Sequence, residues 1–230
     1  VSRFADADHL FPFTVIATSR SSLGRLPDAS NIHRFEDVDL LLPGAPEEFI
    51  RRAGSLIGGD LAIVHCAGYF GGFENIRDTT TADAMRCING NYLTLVAITK
   101  AVLPLMVAMR GGQIVAFSSH AVYQSYPLMA TFLPAKAAVE SFVRCLANEY
   151  APYGIIANAF APATIDCDTE RALVPHGDYE HWLQPADVAT VILRHVTSHE
   201  MLLSGNVLQL FRYSETYFGR GFLQRIEKKL

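Results

Sequence analysis

Short apolar runs alternate with stretches of helical periodicity along most of this chain, and that alternation narrows its fold more than any single motif does. Residues 13–17, 32–38, 61–65, 113–118, 154–161 and 207–210 read as strands, the last after a Ser204-Gly205 turn. Residues 80–109 (bent near Gly90), 136–150 and 186–196 read as helices. In the second of these, Ala137, Ala138, Phe142, Cys145 and Leu146 build one apolar face. Strand–helix–strand repetition predicts parallel pairing, because each crossover helix returns the chain to begin the next strand at the same end of the sheet. Half of the 230 residues are hydrophobic and 18% are charged, which suits a sheet covered on both faces. One α/β domain over residues 1–230 is expected, with the aromatic and basic stretch 211–230 as a C-terminal extension.

Charge and cysteine usage remove several functional classes. A net charge of −4 and a pI near 6.1 leave no dense basic stripe for nucleic acid, and the basic cluster 225–229 is short and terminal. Cys66, Cys87, Cys145 and Cys167 are scattered without C-x-x-C spacing, the usage of a reducing, cytoplasmic compartment. No apolar run is expected to reach the ~18–20 residues that cross a bilayer, so neither a membrane nor nucleic acid is an expected partner. His195 and His199 are four apart, as a helical metal pair requires, but no third ligand stands at a partnering spacing, so no metal is expected. No G-x-S-x-G elbow supports a hydrolase.

The chemistry-bearing residues fall in a fixed order. His65-Cys66-Ala67-Gly68 closes the third strand, and Asn89-Gly90-Asn91 lies inside the long helical stretch, with Asn91 13 residues before Pro104. The run 114–119 ends in Ser119; Phe132 follows 13 residues later and Lys136 four after that. Asn158 opens the segment containing Pro162, Ala163 and Ile165. Over about residues 10 to 210 this layout resembles the short-chain dehydrogenase/reductase family, whose N-N-A-G turn, active-site asparagine, Ser–Tyr–Lys segment and V-N-x-x-x-P-G segment fall at these places. The resemblance implies a Rossmann-like, doubly wound parallel sheet and a hydride transfer between a nicotinamide and a carbonyl or alcohol.

On that resemblance Ser119 binds the substrate oxygen, Asn91 orders a water, and Lys136 holds the nicotinamide ribose. The family's tyrosine position is Phe132, which carries no proton. Substitute acids lie nearby in sequence: His120, Tyr123 and, as the better candidate, Tyr126. Pro134 is tolerable if it falls in the first turn of its helix, and Ala163 adds a methyl where the family has glycine. Ala67, Gly68, Pro162 and Ile165 are the expected cofactor contacts, and His176, His181 and Trp182 fall in the segment that caps the substrate in the family.

The resemblance also implies a strand and a glycine-rich phosphate loop that the sequence does not carry. The stretch 15–20 fits the family's second strand, residues 1–10 then become the end of its first helix, and about 15–20 upstream residues are expected in the natural protein. Arg20 then stands where relatives that prefer NADP place a cation for the 2′-phosphate, with NAD left open, and Asp39 (Asp37 in a rival register) stands at the adenine. The reading is an NADP-dependent oxidoreductase with a non-standard proton donor acting on a small polar molecule. The alternatives are a non-redox enzyme on the same scaffold and a catalytically inactive binding or regulatory homologue. A homodimer or homotetramer is implied by the family's use of its two long helices.

Overall fold

A computed structural model describes residues 13–21, 23, 26, 29–177, 179–198 and 203–212. Residues 1–10, His199 and the extension beyond Arg212, for which expectations were stated, lie outside the described residues.

Among the described residues six strands form, β1 (Val15–Thr18), β2 (Ile32–Phe35), β3 (Ala62–His65), β4 (Gly112–Phe117), β5 (Ile155–Pro162) and β6 (Val207–Leu210). The helices are α1 (Ala45–Ala53), α2 (Thr81–Ile88), α3 (Thr94–Met109), α4 (Ala121–Gln124), α5 (Phe132–Tyr150), α6 (Asp168–Leu173) and α7 (Pro185–Thr197). Strands β3, β4, β5 and β6 lie side by side in that order, every pair parallel, and β1 pairs parallel with β2 in a separate ladder. Among the described residues no hydrogen-bonded ladder joins the two sheets.

Strand alternation sorts the core into two layers. Ile114 and Ala116 of β4, with Ile155, Ala157 and Ala159 of β5, pack against Leu95, Val102 and Met106 of α3 and Val139, Val143 and Leu146 of α5. Val115 and Phe160 point the other way, onto Val188 and Ile192 of α7. Helices therefore cover both faces of the four-stranded sheet, which is the doubly wound α/β architecture expected from the sequence. A third cluster, Val38, Phe49, Ala53 and Ile98, joins the β1–β2 pair and α1 to α3.

The bend expected near Gly90 is a π-helical turn, Asn89–Leu93, between α2 and α3. Helix α2 begins in a capping box: the Asp83 backbone N–H donates to the Thr80 hydroxyl, and the Thr80 N–H donates to the Asp83 carboxylate at 2.7 Å. Because the π-turn joins α2 to α3 without a break, Thr81–Met109 is a helix of 29 residues, long and apolar enough to cross a membrane by length and composition. This corrects the expectation that no such segment exists. The apolarity has a local cause: Leu95, Val102 and Met106 are fully buried against the sheet.

Helix α5 starts four residues before the sequence expectation, at Phe132, with Thr131 as its N-cap. Pro134 is then the third helical residue, where a missing N–H breaks no bond.

Candidate active site

The C-terminal ends of β3 and β4 and the first turns of α5 bring the central groups together. Strand pairing continues past β4, since the Ser118 N–H donates to Phe160 O (2.8 Å) and the His120 N–H to Pro162 O (3.0 Å). The two adjacent serines do different work. Ser118 is buried and donates its hydroxyl to Glu140 Oε1 at 2.7 Å, whereas the Ser119 Oγ accepts the Ala121 N–H at 3.3 Å.

Phe132 and Lys136 are one helical turn apart on α5 and share a face. The Phe132 ring lies edge-on to Phe70 at 4.9 Å, and Phe70 lies in the same way on Phe73, also at 4.9 Å. An aromatic wall therefore stands at the position that carries a phenol in the family. The Lys136 Nζ is 5.6 Å from the Phe132 ring centre and donates to Phe117 O at 2.9 Å. Lys136 is 7% exposed, and burial holds its ammonium down to about pKa 8, with the nearby Cys66 pulling slightly upward.

The π-turn presents Asn91 from the other side. Asn91 is buried; its Nδ2 donates to Tyr69 O (2.7 Å) and Cys87 O (2.9 Å), and its Oδ1 accepts the Tyr69 N–H (3.3 Å). These bonds hold the stretch after β3 against the turn. A Cβ on Gly68 would stand 3.2 Å from Asn91 Oδ1 and 3.7 Å from Lys136 Nζ. Gly68, Asn91 and Lys136 thus converge on one point, while the backbone from Cys66 to Tyr69 is exposed above it. Cys66 shows surface to the opening, yet the protein packed around its sulfur pushes the thiol pKa up.

The remaining expected residues lie at strand ends. Arg20 is exposed just past β1, and the Val38 N–H donates to Ser19 O at 3.0 Å, so residues 19–20 run beside 37–39. The Asp39 carboxylate accepts the Leu41 N–H at 3.0 Å. Pro162 ends β5, and Ile165 bridges to Leu183. Ala163 is buried among Val115, Phe160, Leu183 and Val188.

The substitute acids are less central. Tyr123 donates its hydroxyl to Glu140 Oε2 at 3.0 Å, and burial together with that bond pushes its pKa to about 12. The buried His120 ring packs on Tyr123 and Phe211, and burial lowers its pKa. Tyr126 is half-buried between α4 and α5, and burial raises its pKa. His195 Nε2 lies 3.2 Å from Asn158 Nδ2, a bond across the core to β5. Among the described residues no group of three or more His, Cys, Asp and Glu could hold a metal.

Glu140, Phe70 and Phe73 were not singled out from the sequence. Glu140 stands one turn beyond Lys136, and the aromatic run directly follows Gly68, so both signals were present. The groups around Gly68 suit the nicotinamide-ribose end of a dinucleotide, because an exposed side-chain-free backbone adjoins a buried cation. The glycine-rich loop for the pyrophosphate is not among the described residues.

Comparison with known proteins agrees with this geometry. Residues 31–177 match the short chain dehydrogenase family, and the chain belongs to that family. It is 24% identical over 83% of its length to the vibriobactin-specific 2,3-dihydro-2,3-dihydroxybenzoate dehydrogenase of Vibrio cholerae, covering 81% of that protein. It is 25% identical to the NADP-dependent 3-hydroxy acid dehydrogenase of Schizosaccharomyces pombe, over 83% of this chain and 73% of the other. Of some other curated relatives it spans less than two thirds, 34% and 49% of their lengths in two cases. Among solved structures it is similar to ElxO with NADPH bound, in a tyrosine-to-phenylalanine variant, with a TM-score of 0.77 and 26% identity over 85% of this chain and 86% of that one. The chain is thus an oxidoreductase of the short-chain type by family, and the family uses NAD(P).

Proposed function

We propose that this protein is an NADP-linked oxidoreductase acting on a carbonyl or alcohol, with a proton donor other than the family's tyrosine. The observation that carries the reading is the convergence of Lys136, Asn91 and Gly68 on one point, with the Phe132 ring beneath the Lys136 ammonium. When bound, the cofactor supplies or accepts the hydride. Ser119 offers its hydroxyl to polarise a substrate oxygen, and Lys136 offers N–H groups to a ribose. The NADPH-bound phenylalanine variant of ElxO supports cofactor binding without a phenol at one tyrosine position of such a scaffold. Arg20 supports NADP over NAD, because a guanidinium favours the added phosphate.

Titration with NADPH and with NADH, followed by nicotinamide fluorescence, tests the reading. Tighter binding of NADPH is expected, and failure to bind either cofactor removes the oxidoreductase reading. The second reading, a catalytically silent or non-redox homologue, rests on the ring at Phe132. Carbonyl reduction that is present in a Phe132→Tyr variant and absent from the wild type would establish it.

A further inference from the structure

Phe70, Phe73 and Phe132 form an aromatic cluster that stands apart from the hydrophobic cores. Each ring is half-buried, and none belongs to the two layers packed on the four-stranded sheet or to the cluster around Phe49. The rings meet edge to face, Phe73 on Phe70 and Phe70 on Phe132, at 4.9 Å in each case. The backbone holds them beside the site. Phe70 directly follows the exposed stretch from Cys66 to Tyr69. The Glu74 N–H donates to Leu128 O at 3.0 Å, which ties that segment to the loop entering α5 at Phe132.

Lys136 fixes the direction of the last ring. Its Nζ stands over Phe132, 5.6 Å from the ring centre, so one face of Phe132 is turned toward the point where Gly68, Asn91 and Lys136 converge. An aromatic face is electronegative and an aromatic edge electropositive, so a row of edge-to-face rings is best extended by another aromatic ring. A saturated ring of the same outline gains the apolar contact alone. Phe132 narrows the class further, because it has no proton to give. Reduction of an isolated ketone leaves a strongly basic alkoxide, which calls for an acid at that oxygen. Reduction of a quinone leaves a phenolate, and phenols ionise at a pKa of about 10, so water is a sufficient donor.

We propose that Phe70 and Phe132 line a subsite for a planar aromatic acceptor of the quinone type. The inference rests on the oxidoreductase reading above, with water as the donor that replaces the tyrosine. The reduced cofactor gives up one hydrogen with two electrons, and water gives one proton. Both C=O π bonds of the quinone are lost, two O–H bonds form, and the ring becomes a dihydroxyarene. The positive charge over the Phe132 ring favours the phenolate that precedes the last protonation, whatever the Lys136 N–H groups hold.

Two comparisons test the subsite. In calorimetry with saturating NADP, 1-naphthol is expected to bind roughly 2–10-fold more tightly than decahydro-1-naphthol, its saturated counterpart. Phe70→Leu and Phe132→Leu, each checked for folding by circular dichroism, are expected to remove that preference and to leave NADPH affinity unchanged. The wild type is expected to oxidise NADPH with 9,10-phenanthrenequinone and not with 1-decalone. Equal affinity for the two alcohols, a preference kept in every folded variant, or quinone turnover no faster than that of 1-decalone overturns the inference. NADPH binding in the same samples leaves the oxidoreductase reading standing in each of those cases. Failure to bind NADPH removes that reading and the inference with it.

Discussion

The His65 Nε2 lies 3.1 Å from the Thr94 Oγ1, and the Thr94 hydroxyl donates in turn to Gly90 O at 3.1 Å. With its only proton given to Gly90, Thr94 accepts, so Nε2 carries the imidazole proton. The last residue of β3 is thereby fastened to the π-turn that presents Asn91. His65 is 6% exposed, and burial, aided by the Lys136 charge, holds its pKa down to about 4.

A folded-state pKa below the unfolded value of 6.5 sets the sign of a pH effect. Between pH 6.5 and 4 the unfolded chain binds a proton that the folded protein refuses, so stability falls as pH drops through that window. The expected contribution is on the order of 3 kcal/mol, fully lost once the pH is below both values. Urea denaturation of wild type and His65→Asn at pH 7, 5.5 and 4 checks this. The variant should lose that much less stability over the window, and parallel losses would show that His65 is not the titrating group.

Glu140 makes a second prediction. Its carboxylate accepts from Ser118 at 2.7 Å and Tyr123 at 3.0 Å, with Arg144 at 3.3 Å, and it is 4% exposed. Glu140→Ala removes the shorter of the two acceptors of the buried Ser118 hydroxyl, leaving the Lys136 carbonyl at 3.3 Å, and also the Tyr123 and Arg144 bonds, and should cost about 1–3 kcal/mol. Glu140→Gln keeps one amide oxygen and should cost less. Tyr123→Phe removes a single bond at a side chain 43% exposed and should cost under about 1 kcal/mol. Denaturant midpoints rank the three, and a Tyr123→Phe loss equal to that of Glu140→Ala would relocate the weight of the network to the phenol.

The fold was readable from the sequence because strand and helix periodicities are separate signals. The six expected strands and the long helices all formed, with boundaries moved by a few residues. Helix α5 shows why ends are harder: no apolar repeat marks Phe132–Ala135, and the helix begins there because Met129 O accepts the Phe132 N–H. The site was readable to the extent that spacing carried it. Spacing alone singles out Ser119, Asn91 and Lys136 as candidates, and the structure brings Asn91 and Lys136 together at Gly68, whereas Glu140 and the Phe70–Phe73 wall depend on long-range packing with no fixed spacing.

Gly90 is where two local preferences oppose each other. Alanine is the better helix former by about 1 kcal/mol. A Cβ there, however, would stand 2.6 Å from the Tyr69 Cβ, too close for any side chain without movement. Overpacking of this kind costs about 1–3 kcal/mol, so Gly90→Ala should be destabilising in spite of its helix preference. Tyr69 is also the residue bracketed by the Asn91 amide, so its displacement should loosen Gly68 and weaken NADPH binding. Thermal melts and fluorescence titration are the two readouts. An unchanged melting temperature would mean that the turn yields at no cost.

Arg20 tests the other end of the site, where the argument is purely electrostatic. It is exposed just past β1, with Asp37 and Asp39 on the neighbouring segment. An exposed guanidinium–phosphate contact is worth about 1 kcal/mol or less, roughly a fivefold change in affinity. Replacing the cation with an anion adds repulsion, so Arg20→Glu should weaken NADPH binding by at least about fivefold and leave NADH binding nearly unchanged. The gap between the two proteins should narrow as salt is raised, because the charges face solvent. Equal weakening of NADPH and NADH would mean that Arg20 supports the segment it sits on and does not read the 2′-phosphate, and the preference for NADP would then have to be sought in other residues.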